Sequence, residues 1–292
     1  MENGIAVRLK YVTSVVLYGT IGLFVRYAGL PSELLAMCRG IIGAAFILLV
    51  LRVRRDRPDL RAIRANLPAL IVSGVCLGLN WVFLFAAYVK TTVAVASLCN
   101  YMAPIIVVVI APVALRERLD LRKLPCVAAA LLGILLVSGV LEGGVGDLTG
   151  ALLGLCAAAC FVCLVLCNRK LRGIRALDRA VVQLALSSVT IFPYALIANR
   201  GVSLSPDVPS LLVVLLLGVV HTGVAYCFYF SGMATLPVQT FAVLGYLEPV
   251  VSVLCSVLFL HEPLSAAGWI GAALVITAAA VSELMPERER AP

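Results

Sequence analysis

The sequence predicts an all-α membrane protein, ten transmembrane helices arranged as two inverted five-helix repeats. Three observations carry that prediction. Apolar stretches of membrane-spanning length follow one another along the chain, basic residues fall on alternate connections, and the two halves repeat each other in opposite membrane sense.

Of the 292 residues, 62% are hydrophobic and 13% charged, against about 45–50% and about 25% in soluble domains. The excess gathers into ten runs, at about 11–28, 33–51, 68–89, 93–115, 124–141, 148–167, 179–198, 210–231, 238–260 and 265–283. A helix needs about 20 residues to cross a hydrocarbon core of about 30 Å. In lipid every backbone N–H and C=O must be satisfied internally, so these runs are predicted as helices. The connections are too short to hold a soluble domain. The first run follows only Arg8 and Lys10 and lacks a small-residue cleavage site, so it reads as a retained helix.

The net charge of +8 follows the same topology. With the N-terminus in the cytoplasm, nineteen of the 23 Lys and Arg fall on the inside, in groups at Arg8–Lys10, Arg52–Arg64, Arg116–Lys123, Arg169–Arg179 and Arg288–Arg290. Arg26, Lys90 and Arg200 fall outside, and Arg39 lies within a helix. The positive-inside rule thus predicts both termini on the cytoplasmic side. The basic loops read as topology signals and not as a nucleic-acid surface. The ten cysteines sit almost wholly inside apolar runs and form no secreted disulfide framework. Cys156, Cys160, Cys163 and Cys167 share one helix face, but four thiols in a line do not make a tetrahedral site, so no metal is expected.

The repeat has an offset of 145 residues. "YMAPIIVVVIAPVALRERL" (101–119) and "YLEPVVSVLCSVLFLHEPL" (246–264) align without a gap and agree at six of nineteen positions. Trp81, Phe83 and Phe85 land on Tyr226, Phe228 and Phe230, and Gly78 lands on Gly223. The repeats are set at 1–145 and 146–292. Five crossings per half is an odd number, so the second half enters the membrane in the opposite sense. Ala103 of the first copy is answered by Glu248 in the second.

These features resemble a known family. "TTVAVASLCNYMAPIIVVVIAPVALRERL", "TLPVQTFAVLGYLEPVVSVLCSVLFLHEPLSAAGWIGAALVITAAAV" and the arginine-bearing "LLAMCRGIIGAAFILLVL" look like the EamA-type branch of the drug/metabolite transporter superfamily. The resemblance spans essentially the whole chain. It implies an acidic residue after the fourth crossing of each half, here Glu117 and Glu262, and maps the second-helix arginine onto Arg39. It also implies export, since most characterised relatives are bacterial exporters.

Within the predicted bundle, polar residues near the midplane are the site candidates, because an ionisable group there faces a cavity or a partner. Glu248 lies about ten residues into the ninth run, and His221 and Asn80 are equally deep at 1.5 Å per residue. Asn100 and Arg39 lie nearer the outer side. Glu248 precedes Pro249, which frees the carbonyl of Gly245 and lets the helix bend. It is expected to hold a substrate ammonium or carry a proton, the alternative being a structural hydrogen bond. His221 is the second proton candidate. Arg39 can bind a carboxylate or pin helix ends by pairing with Glu33. Asn80 and Asn100 offer uncharged donors and acceptors. Trp81, Tyr101, Tyr226 and Tyr246 are expected to line the cavity, where aromatic rings suit an apolar or cationic group.

No HExxH, paired acids at helical spacing, Gly-x-Ser-x-Gly or Walker A sequence is present. A membrane enzyme and an ATP-driven pump are therefore disfavoured, as is a channel, which needs a ring of repeated polar groups. The expected class is a secondary transporter, with a small-molecule substrate, lipid as its solvent, no cofactor, and a monomer or weak homodimer as its working unit. Amino acids and related metabolites rank first as substrates, hydrophobic or toxic cations second, nucleosides or sugars third.

Overall fold

The computed structural model describes residues 4–25, 27–91, 93–115, 121–137, 148–200, 206–261 and 265–285. Among them all regular structure is helical: α1 (Gly4–Val25), α2 (Ser32–Val53), α3 (Leu60–Ala65), α4 (Leu67–Lys90), α5 (Val93–Asn100), α6 (Ala103–Ala114), α7 (Leu124–Val137), α8 (Leu148–Lys170), α9 (Ala176–Ala198), α10 (Val208–Gly218), α11 (Ala225–Thr235), α12 (Val238–Gly245), α13 (Leu247–Leu260) and α14 (Ala266–Leu284). A π-helical turn, Val219–Val224, joins α10 to α11.

Among the described residues seven stretches are long and apolar enough to cross a membrane: Ser32–Val53, Leu67–Lys90, Ala96–Ala114, Leu148–Lys170, Ala176–Ala198, Val208–Thr235 and Val238–Phe259. Of the other three predicted spans, α14 contributes a shorter apolar stretch, Ala266–Ser282, α7 is described only as far as Val137, and α1 carries Arg8 and Lys10 near its start. Large apolar side chains such as Leu49, Val109, Val113, Phe259 and Ile270 stand exposed on the outside, which suits a lipid solvent. The chain is a multi-pass membrane protein. Arg26, Arg116, Glu117, Arg118, Glu262, Arg288 and Arg290 lie outside the described residues.

Two spans are broken, and prolines explain both. Pro249 has no N–H for the carbonyl of Gly245, and Pro104 none for that of Asn100. The chain tightens instead: Tyr246 N–H donates to Val243 O at 3.2 Å, and Met102 N–H to Cys99 O at 3.2 Å. Shifted by 145 residues, α5 superposes on α12 end for end, and the break at Tyr101–Met102 falls on that at Tyr246. The expected bend at Gly245 is therefore present, with a counterpart in the first copy. The π turn was not foreseen. It has no proline, and its flanking glycines let α2 come close: a Cβ at Gly218 would stand 2.5 Å from the Ile42 Cβ.

Packing partners come in matched pairs. α1 packs on α11 and α13, while α8 packs on α4, α5 and α6. α2 meets α9, α6 meets α12, and α7 meets α14. At one end the connections are stitched by polar contacts. Arg175 donates to Asp56 at 2.5 Å and to Asp178 at 2.8 Å, and Asn66 Nδ2 donates to Arg172 O at 2.9 Å. The basic residues expected to be plain topology signals here also tie the α2–α4 connection to the α8–α9 connection.

Candidate functional site

Where the broken spans meet α1, α2, α4, α8 and α11, they enclose a cavity of about 300 Å³. It is built largely of rings. Twelve of the chain's 21 aromatic residues line it, including seven of its nine tyrosines. Glu248 and Arg39 are the charged residues among the described lining, and they act on each other electrostatically across it.

Glu248 occupies the first turn of α13, directly after the break. The positive end of a helix dipole favours a carboxylate there. Among the described residues none donates a hydrogen bond to that carboxylate or stands within ion-pair distance of it. The structural hydrogen bond considered for Glu248 is thus missing, and its side chain is presented to the cavity. Ala103, its counterpart in the first copy, also lines the cavity and is buried.

Arg39 is held from two sides. Its Nε donates to Thr222 Oγ1 at 3.1 Å, and its guanidinium carbon lies 5.8 Å from the Trp81 ring centroid. The π turn makes the first contact possible. It opens the backbone so that the Thr222 hydroxyl donates to Leu217 O, five residues back, at 2.9 Å and turns a lone pair to Arg39. The pairing considered between Arg39 and Glu33 is not made; Glu33 instead accepts from Asn199 Nδ2 at 3.0 Å.

The repeat-related aromatics meet each other. Trp81 and Tyr226 stack edge to face at 6.2 Å, and Tyr246 Oη donates to Tyr101 O at 3.0 Å. All four line the cavity. So do Asn80 and Asn100, which are partly committed to structure: Asn80 Nδ2 donates to Asn100 Oδ1 at 2.9 Å and to Ala157 O at 2.8 Å. His221 is not among the lining residues. The π turn points it at α1, where Nε2 lies 3.0 Å from Thr20 Oγ1 and the ring packs on Phe24 at 5.1 Å.

Sequence reasoning missed Tyr11, Tyr18, Tyr88, Phe161, Tyr229 and Phe241. Tyr11, Tyr229 and Phe241 form a floor, with ring centroids 4.8–5.5 Å apart and Tyr11 Oη donating to Phe241 O at 2.9 Å. Tyr88 and Ser97, 3.3 Å apart, stand at the opposite end. Among the described residues no group of three or more His, Cys, Asp or Glu is placed to hold a metal ion.

Comparison with known proteins agrees with this architecture. The EamA-like transporter family matches twice, over residues 9–139 and 148–283. An uncharacterized transporter of Archaeoglobus fulgidus is 29% identical over 91% of this chain and 92% of its own. The uncharacterized transporter YxxF of Bacillus subtilis is 23% identical over 86% and 81% respectively. A crystal structure of a protein 24% identical matches with a TM-score of 0.83 over 96% of this chain and 98% of that one, which speaks for the fold alone. An aromatic cavity set between broken membrane helices and a family match over both halves lead to one conclusion: the chain belongs to the EamA-like transporter family, and it is a multi-pass membrane transporter and not an enzyme.

Proposed function

We propose that this protein is a secondary active transporter that exports amino acids or related small metabolites by alternating access. The observation that carries the reading is the presence of both Glu248 and Arg39, unbonded to each other, in one aromatic-walled cavity. A carboxylate without a protein partner suits a substrate ammonium or a transported proton. An arginine anchored through Nε keeps its other nitrogens for a carboxylate. The rings between them suit an apolar side chain.

The proposed frame is ten spans in two inverted five-helix repeats, 1–145 and 146–292, with both termini cytoplasmic and the chain in the inner membrane. The two family matches and the matched packing pairs support it. Under that orientation the floor of Tyr11, Tyr229 and Phe241 closes the cytoplasmic side. Lys123, buried and donating to Thr240 at 2.9 Å, closes it further. Export is the direction that the family resemblance implies. Both halves of the chain contribute to the lining, which favours a monomer or a weak homodimer as the working unit.

Flux in proteoliposomes tests the reading, with labelled amino acids and one lipophilic cation, with and without a pH gradient. Gradient-dependent amino-acid flux is expected. Flux of the cation alone would move the assignment to efflux of hydrophobic cations, and flux of nucleosides or sugars alone would overturn both. A narrower prediction concerns Thr222. A hydrogen bond to a charged group contributes about 1.5–3 kcal/mol, so Thr222→Val is expected to raise the half-saturation concentration of a carboxylate substrate about 10-fold. Thr222→Ser should restore it.

A further inference from the structure

Beneath the aromatic floor lies a second polar cluster that the cavity does not include. Arg179, in the first turns of α9, is 4% exposed and was expected to be a loop-end topology charge. Its Nη1 donates to Asn168 Oδ1 of α8 at 3.3 Å, and its guanidinium sits 5.9 Å from the Phe230 ring centroid. Among the described residues no carboxylate stands within ion-pair distance of it; neighbouring Asp178 is taken by Arg175. Gln183, one turn further along α9 and fully buried, donates to Ser73 Oγ of α4 and to Asn168 Oδ1 at 3.3 Å.

Two atoms of this cluster lack partners. Arg179 Nε is a buried donor with nothing to bond, and Gln183 Oε1 a buried acceptor with nothing to accept. A guanidinium without a carboxylate inside a protein is costly, and each unfilled polar atom adds to that cost. Here both occur together, four residues apart on one helix, and the unfilled pair is one cationic donor beside one neutral acceptor. That is the complement of a carboxylate carried next to an ammonium. Phe230 separates the cluster from the cavity, because it lines the cavity while its ring meets Arg179.

Building on the transport reading above, we infer that Arg179, Gln183, Asn168 and Ser73 form a second substrate station. It receives the carboxylate end of the cargo on the side of the basic connections, before Phe230 and the neighbouring floor residue Tyr229 part to open the way toward Arg39. The cargo would then pass between two guanidinium groups, one on each side of the floor, and each would hold the carboxylate in turn.

The test is binding to the purified full chain, read as ligand-induced thermal stabilisation. Phenylacetate is the carboxylate probe and phenethylamine the amine probe. Phenylacetate is expected to bind Arg39→Gln protein still, with an apparent affinity that falls about 10-fold or more when Arg179→Gln is added. Arg179→Lys, which keeps the charge and loses the fork, should fall between, and serves as the second variant should the glutamine form fold poorly. Phenethylamine binding should be unchanged by either substitution at 179. The inference is overturned if phenylacetate binds the single and double variants alike, if both probes weaken together, or if the wild-type protein binds no phenylacetate. Arg179-dependent binding in a protein that moves no amino acid would instead overturn the transport reading and leave the station standing.

Discussion

Replacing Glu248 by Gln is expected to reduce gradient-driven flux about 100-fold, because an interaction with a charged group of about 1.5–3 kcal/mol is lost at the step where the cargo or proton is held. The amide keeps the shape of the carboxylate. Since no described residue bonds to that carboxylate, no protein contact is broken, and the melting temperature of the purified protein should stay close to that of the wild type. Removing a charge that lacks a protein partner inside the membrane span can even raise it. Normal flux of the variant across a pH series would rule out the central role given to Glu248. Loss of flux together with loss of folding would mean that the side chain is structural after all.

The second large effect is expected at Gly19. A Cβ there would lie 2.6 Å from the Val251 Cβ and 2.7 Å from the Glu248 carbonyl oxygen. The carbonyl is backbone and cannot rotate away, so α1 and α13 must part. Overpacking of this kind costs about 1–3 kcal/mol, and the displaced segment is the turn that bears Glu248. Gly19→Ala should therefore lower thermal stability and flux together. Gly22, one turn along the same helix, is the matched control: a Cβ there meets nothing nearer than Ser252 Oγ at 3.8 Å. Gly22→Ala should leave both properties unchanged. Equal behaviour of the two variants would show that the α1–α13 contact is looser than described.

How much of this was legible in the sequence depended on what kind of signal each residue left. The helix breaks were legible because proline acts locally and both copies carry one. Trp81, Tyr101, Tyr226 and Tyr246 were legible because the repeat marked them. Tyr11, Tyr18 and Tyr229 were not: a lipid-facing helix is apolar on every side, so no periodicity tells a cavity face from a bilayer face. Their scarcity was the one available signal, since few residues here combine a ring with a hydroxyl. His221 misled because its depth was right and its direction was not; the π turn that aims it leaves no mark in composition. Arg179 misled for the converse reason. It ends a basic run, and only the packing of α4, α8, α9 and α11 puts it inside.

The distribution of the two tryptophans has a practical consequence. Trp81 sits in the cavity wall between Arg39 and Tyr226, whereas Trp269 is 49% exposed on the outer face of α14. One indole therefore responds to whatever enters the cavity, and the other to the surrounding lipid or detergent. With Trp269→Phe the chain keeps a single emitter, fed by excitation from a shell of tyrosines that shares its cavity. Occupancy of the site then becomes readable as a change in intrinsic fluorescence, without a label and without knowing the cargo beforehand.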